Sequence, residues 1–387
     1  MFTFQDRHPI LDLLCDPAGK KLLVISGETG IGKTRLLKEA ALKAKQKNPK
    51  AIVLFVDFSD LISDKDPPSA LLKAIIDQAK DLLKGAWYDK VQVARQVATQ
   101  LNALADDAPV YLLFDTTDAL QEDKFFWPWF EANLRSPLVY EAHVKIVLAG
   151  RIAPPLHRLE VRRGLSRQSL SPIQEEASRA LVREVLKDES PSMKECDLEQ
   201  AIDVVLEASF GHPLLSEKVA AYVAHHFQGP ITQAFRENIC QEIVQPFVQD
   251  IMLSNITPPW GEIFPWITIL RWFDTTILES YLKRVAPWLT HDQPDYFFTQ
   301  GITELRKHDR VIWEENVAYH VLGVLGDIIR HCIMIQSPND YRHACLSAAA
   351  TFQEIANDCR DDEKLAQSYL DEVHYYKTAI DSEGDAQ

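Results

Sequence analysis

Gly27-Glu28-Thr29-Gly30-Ile31-Gly32-Lys33-Thr34 sets the fold expected of this chain. The octet fits GxxxxGK[ST], a loop that cradles phosphates. Each residue type has a chemical reason. Glycines let the backbone wrap an anion with successive N–H groups pointing inward. A helix starting directly after the loop turns its positive dipole end toward the same anion. Lys33 is expected to reach the β- and γ-phosphates, and the Thr34 hydroxyl to ligate Mg²⁺. The flanks agree: Lys21–Ser26 (KLLVIS) reads as an apolar strand, and an amphipathic pattern runs from about Gly32 to Lys47. Gly27, Glu28, Thr29, Gly30, Ile31, Gly32, Lys33, Thr34 and the adjoining Arg35 are therefore the expected nucleotide-binding residues.

Outward from the loop, further apolar strands are expected at Ala51–Asp57, Val110–Asp115 and Val144–Ala149, with a short fifth at Gln168–Leu170. Helical patterns at about Ser69–Leu83 and Lys90–Leu104 separate them. Near-continuous apolar strands alternating with helices indicate a parallel sheet covered on both faces. The expected fold is an α/β three-layer P-loop NTPase domain (parallel sheet), followed by an all-α lid and a winged-helix domain.

Val110-Tyr111-Leu112-Leu113-Phe114-Asp115 ends in the acidic residue that such a site needs on a second strand. Asp115 is expected to hold Mg²⁺ together with Thr34. Related ATPases often place Glu directly after this Asp to activate water. Here Thr116 follows, which is no base at neutral pH. Asp118 is the remaining carboxylate of that loop and the candidate base; its bland alternative is a helix N-cap. Slow hydrolysis follows from either. No NKxD-like motif is present, which favours ATP over GTP.

From Ser171 the pattern turns to helix only. Ser171-Pro172-Ile173-Gln174 looks like a capping box with Pro at the first helical position. Further helices are expected at Asp197–Ala208 and His212–His226, with a break at Gly229-Pro230. Five of the eight tryptophans then fall between Trp260 and Trp313. Helical patterns at Trp260–Trp272, Thr275–Val285 and Asp295–Lys307 precede a hairpin, Arg310–His320, turning at Glu314-Glu315-Asn316. Three helices and a hairpin suggest a winged helix. A helix is expected at Val321–Cys332, and helix continues to about Ile380. The tail Asp381–Gln387 is expected to be disordered.

Composition narrows the classes. The 387 residues carry a formal charge of −15, so phosphate-backbone binding would need a local basic patch. The third helix of the winged-helix segment offers Arg306 and Lys307 only at its end. Nucleic acid is therefore not an expected partner, nor is a membrane. Six scattered cysteines without CxxC read as buried free thiols, and with no secretory signal they point to the cytoplasm.

These residues together resemble the STAND class of P-loop ATPases, relatives of AAA+ proteins that include the NACHT and NB-ARC groups. The resemblance covers about residues 2–335. Phe4-Gln5-Asp6-Arg7 is similar to the family's [GD]R motif, which implies that Arg7 lies near the nucleotide. Leu148-Ala149-Gly150-Arg151 resembles the sensor-1 strand, so Arg151 is implied to read the γ-phosphate. The bland alternative assigns Arg151 to the basic stretch with Arg158, Arg162, Arg163 and Arg167. Gly211-His212-Pro213-Leu214 resembles the GxP motif, whose Pro213 would pack on adenine. Phe114-Asp115-Thr116-Thr117-Asp118 resembles a DTxE-like variant with Asp118 in place of Glu. His320 falls where members carry Met-His-Asp and would contact the β-phosphate of ADP, although Val321 replaces the Asp.

The resemblance implies a P-loop nucleotide-binding domain (1–170), a helical lid (171–228), a winged helix (229–335) and C-terminal helices (336–387). It implies ATP/ADP and Mg²⁺ as cofactors, with Lys33, Asp115, Asp118 and Arg151 catalytic. ADP would hold the closed form, while ATP would favour an open, homo-oligomeric one. Sensor or effector parts are expected on a separate protein. Two other readings stand beside it: a DNA-associated AAA+ ATPase of the origin-recognition or transposition type, and a module that holds nucleotide without catalysis.

Overall fold

A computed structural model describes residues 6–16, 18–83, 90–139, 144–227, 229–294, 296–314, 318–359 and 361–384. The chain divides into two compact units, Met1–Ser171 and Pro172–Gln387.

The first unit is built on β1 (Leu22–Ser26), β2 (Ile52–Asp57), β3 (Val110–Asp115), β4 (Val144–Gly150) and β5 (Leu165–Ser169). All pairings are parallel, in the order β2-β3-β4-β1-β5. Every residue of β3 and β4 is buried. A strand covered on both faces must be apolar throughout, hence the unbroken runs. β5 is longer and earlier than the expected Gln168–Leu170. It is an edge strand with polar, half-exposed positions, so no apolar run marks it.

Side chains alternate across the sheet and fill two separate cores. On one face Leu22, Val24, Leu112, Phe114, Ile146 and Leu148 pack under α3 (Pro67–Gln78), α4 (Lys90–Ala105) and α5 (Phe126–Phe130). On the other, Leu23, Ile25, Leu113, Val147 and Ala149 meet α1 (His8–Cys15) and α2 (Lys33–Lys47). α3 starts before the expected Ser69 because Pro67 and Pro68 are preset for a first turn. It stops at Gln78 instead of Leu83. There the Gln78 amide donates to Phe55 O (2.6 Å) and accepts from Phe55 N (2.9 Å), covering the edge of β2.

The second unit opens with helices Glu175–Glu189, Glu195–Ser209 and Pro213–His226. The capping box at Ser171–Gln174 is not formed. The helix begins at Glu175, Gln174 makes no side-chain cap, and Ile173 N–H bonds instead to Gly211 O. Farther on are helices Trp260–Ile267, Thr275–Val285 and Phe297–Lys307, and an antiparallel hairpin of β6 (Val311–Trp313) and β7 (Tyr319–Val321). The first helix stops short of Trp272. Pro265 interrupts its N–H ladder, and Phe273 is drawn into a bridge with Tyr319.

Val321 pairs with Val311 in the hairpin, so the next helix begins at Leu325 and runs to Gln336, not Val321–Cys332. Helices Pro338–Asp358 and Glu363–Gly384 complete the unit, the last running beyond Ile380. Residue 295, the hairpin centre at 315–317 and the end of the tail at 385–387 lie outside the described residues. Cys15, Cys240, Cys332 and Cys345 are buried free thiols, whereas Cys196 is exposed and Cys359 half-buried. These two correct the expectation of six buried thiols.

Candidate nucleotide site

β1 ends at Ser26, and six residues turn the chain into α2. Gly32 is the residue before the helix, with φ 101°. A Cβ there would meet open space, so the left-handed backbone alone calls for glycine. At Gly27 (φ 155°) space is also short: a Cβ would lie 2.9 Å from Leu170 O and 3.0 Å from Ile31 Cγ2. Ile31 is buried and pins the loop to the core, while Gly27 to Gly30 stay half-exposed. Lys33 Nζ donates to Gly27 O (2.7 Å) and Glu28 O (2.8 Å), which folds its ammonium over the loop. Burial lowers the Lys33 pKa to about 8, with Asp118 and Asp115 pulling it back up. Arg35 Nη2 is buried without a hydrogen-bond partner among the described residues.

Asp115 ends β3 and is 1% exposed. Oδ1 accepts from Thr116 N–H at 3.0 Å, and the Thr34 hydroxyl bonds to the carboxylate. Oδ2 is buried without a partner among the described residues. Burial pushes the Asp115 pKa up, and Thr34 and Thr116 pull it back. An unpartnered carboxylate oxygen beside a threonine hydroxyl is the hard-oxygen donor set that Mg²⁺ takes, so these residues fit the ion. Among the described residues no group of three or more His, Cys, Asp or Glu is placed to hold a metal.

Asp118 and Arg151 form a pair. Asp118 Oδ1 accepts from Arg151 N–H (2.8 Å) and Oδ2 from Arg151 Nε (2.6 Å). The fit requires Gly150, where a Cβ would stand 2.6 Å from Thr117 Oγ1 and 3.0 Å from Asp118 Oδ1. Asp118 thus has both oxygens engaged. The candidate base is paired with Arg151, and Thr116, not Asp118, is the residue before the short helix at Thr117–Leu120. The Arg151 side chain is thereby held at Asp118.

Asp57 escaped the sequence reading. It ends β2 in register with Asp115. Oδ1 accepts from Ser59 N (2.9 Å) and Ser59 Oγ (2.7 Å), and the Thr116 side chain also bonds to the carboxylate. Burial opposes its charge, but these hydrogen bonds prevail and hold its pKa low. The available signal was that AIVLFVD ends as VYLLFD does.

Arg7 is buried. Nη2 donates to Ser171 O at 2.9 Å, and Nη1 has no partner among the described residues. Burial lowers its pKa. Phe4 and Gln5 of its motif lie outside the described residues. Lys33, Thr34, Asp115, Asp118 and Arg151 converge at the C-terminal ends of the strands, and Arg7 is held at Ser171 O, just beyond β5. Pro213 and His320 belong to the second unit. Pro213 opens its helix behind His212, whose Nδ1 accepts from Leu215 N–H. His320 lies within β7 rather than closing the hairpin; Nδ1 is 3.0 Å from Arg271 O and Nε2 3.2 Å from the Glu314 carboxylate.

Residues 5–126 match the family described as AAA ATPase domain. The match and the five-stranded parallel sheet agree in giving the first unit the fold of an AAA+-like P-loop ATPase domain. The match spans the loop, Asp115 and Asp118 and stops before Arg151 and the second unit. No curated protein matches the sequence.

Solved structures with similarity include a Pyrococcus horikoshii STAND protein with a tetratricopeptide repeat sensor (16% identity, TM-score 0.39, 97% of this chain). This chain spans 54% of that protein's length. Others are AMPPCP-bound DnaA from Aquifex aeolicus (15%, TM-score 0.41, 79% of this chain and 89% of that one) and the Aeropyrum pernix ORC1 protein in complex with DNA (14%, TM-score 0.43, 87% and 94%). The expectation against nucleic acid gains no support from them. Among the described residues no helix is long and apolar enough to cross a membrane.

Proposed function

We propose that the chain is an ATP-binding, slowly hydrolysing molecular switch of the STAND type, in which ADP/ATP exchange drives opening or homo-oligomerisation. The observation that carries this reading is the engagement of both Asp118 oxygens by Arg151 beside an otherwise complete phosphate loop. Gly27–Gly32 would offer a phosphate backbone N–H groups, as loops of this sequence do. Lys33, held on two loop carbonyls, exchanges them for phosphate oxygens, which bond a cation more strongly. Thr34 and Asp115 would hold Mg²⁺, which when bound neutralises charge on the β- and γ-phosphates. Arg151, released by a γ-phosphate, frees Asp118 to accept a proton from water. Hydrolysis is slow because that exchange must come first.

In the second unit we propose a helical lid at 171–228 with Pro213 against the base, a winged helix at 229–335 carrying His320 as an ADP contact, and C-terminal helices from 336. A cytoplasmic setting and a separate sensor or effector protein complete the reading. Sizing of the purified protein by light scattering, with ADP and with a non-hydrolysable ATP analogue, tests it. A larger species with the analogue supports the switch; identical sizes with both nucleotides remove it.

A second reading, a DNA-associated AAA+ ATPase, is favoured by the exposure of Arg162, Arg163 and Arg167. A salt-sensitive gel shift of random duplex supports it, and no shift at low salt counts against it.

A further inference from the structure

Lys145 places an ammonium where the sheet is otherwise apolar. It stands in β4 between Val144 and Ile146, in register with Tyr111 of β3, and is 2% exposed. Alternation along the strand puts it on the face of Val147 and Ala149, against α1 and α2. A charge taken out of water is costly unless it is hydrogen-bonded. Lys145 finds its bonds at the C-terminal end of α1, where Nζ donates to Leu13 O at 2.9 Å and to Asp16 O.

A helix leaves its last carbonyls without partners, and its dipole favours a cation there. Asp16 after the helix is extended (φ −83°, ψ 108°), which ends the helical ladder, and its own carbonyl also accepts from Gly19 N–H at 3.3 Å. Tyr111 adds a second tie from the sheet, its hydroxyl donating to Cys15 O at 3.4 Å. Burial lowers the Lys145 pKa to about 8, partly offset by Asp16, as expected of a lysine lodged among apolar side chains.

At the other end of α1, Arg7 O accepts from Leu11 N–H at 2.9 Å, so Arg7 is bound into the first turn. Its guanidinium holds Ser171 O. The residue before Ser171 is Leu170, whose N–H bonds to Ser26 O at 2.8 Å. Leu170 O is the atom that leaves no room for a Cβ at Gly27. One short helix therefore connects a buried ammonium in the sheet to the start of the phosphate loop. α1 has only eight residues, about 12 Å of helix, so its two ends are close enough for a bond at one to bear on the other.

We propose that Lys145 is a positioning residue for the nucleotide site: it grips the C-terminal end of α1 so that Arg7 braces the chain lying over Gly27. The proposal rests on the phosphate-loop reading above and adds a residue that touches neither nucleotide nor loop.

Hydrogen exchange of the α1 amides and ADP affinity, measured on the full chain, test it with Lys145→Met, Arg7→Ala and the double variant. Lys145→Met is expected to lose protection across His8–Cys15 and to weaken ADP binding roughly five- to tenfold, with Arg7→Ala similar and the double variant no weaker than the weaker single. Lys145→Arg, which restores a cation at the helix end, is expected to recover most of the affinity. Unchanged protection in Lys145→Met, wild-type affinity despite a loosened α1, or losses that multiply in the double variant overturn the proposal. Should Lys145→Met not fold, Lys145→Gln keeps an N–H donor without the charge and carries the same outcomes. Wild-type ADP binding in Lys33→Ala would instead overturn the phosphate-loop reading, so the two failures are told apart.

Discussion

On one face of the sheet, Phe58, Phe114, Phe126, Trp127 and Phe130 pack ring against ring with centroids 5.1–6.1 Å apart. The Trp127 indole N–H is satisfied by Leu120 O at 2.9 Å. On the other face, Leu23, Ile25 and Val147 share their space with the Tyr111 hydroxyl, the Cys15 thiol and the Lys145 ammonium. The first face has few directional bonds and much area removed from water. The second has less bulk, but its polar groups fix particular atoms at particular distances. Area burial is non-directional and supplies stability. Hydrogen bonds from buried polar groups to backbone carbonyls supply placement, and Ile31 of the phosphate loop and α2 lie on that face.

Lys33→Ala is the largest expected break, because an anion in the loop loses its main counter-charge. We expect nucleotide binding to vanish while the thermal midpoint holds or rises, since a costly buried ammonium is removed. Labelled ATP bound with wild-type affinity would show that the loop is only a turn.

Phe130→Ala tests the opposite face. Removing a fully buried ring should cost about 3–5 kcal/mol of stability, with ADP affinity unchanged wherever the protein remains folded. Denaturant unfolding and calorimetric titration separate the two quantities. A tight-binding loss at full stability would erase the contrast between the faces.

Asp118→Asn acts at the strand ends where the faces meet. Turnover is expected to fall by ~10²–10⁴-fold, the usual contribution of a general base, with nucleotide binding kept. Phosphate release under single-turnover conditions reads it. Unchanged turnover would leave Asp118 as no more than the anchor of Arg151.

The smallest effect is one of pH. Lys33 titrates at about 8 in the folded protein against an ordinary 10.5. Between these values the unfolded chain binds more protons, so this lysine makes stability rise with pH. Phosphate, however, needs the ammonium. ADP affinity should therefore fall above pH 8, by up to about tenfold per pH unit. Lys33→Arg, charged throughout, should flatten the profile. Equal affinity at about pH 7 and about pH 10 in the wild type would contradict the burial of this group.

Local order determined much of the first unit. KLLVIS, AIVLFVD, VYLLFD and VKIVLA are strands because each is a short apolar run bounded by turn residues, and GETGIGKT needs only its neighbours to be a phosphate loop. Asp115 was legible for the same reason: it ends a buried strand. The helix Thr275–Val285 was legible residue for residue, since Asp274 caps it through Ile277 N–H and five apolar positions recur with helical spacing.

Only the tertiary structure decided the rest. The polar edge strand β5 is a strand because β1 pairs with it, which no local pattern encodes. Nothing near Asp118 in sequence announces Arg151, 33 residues away, as the partner that occupies it. Lys145 is the one charged residue in the apolar run Val144–Ala149, and only the packing of α1 gives it partners, while Asp57 gains meaning only from its register with Asp115. Sequence periodicity reports which face of an element is apolar. It carries no information about which distant element will cover that face, and the partners of buried charges are settled at that step.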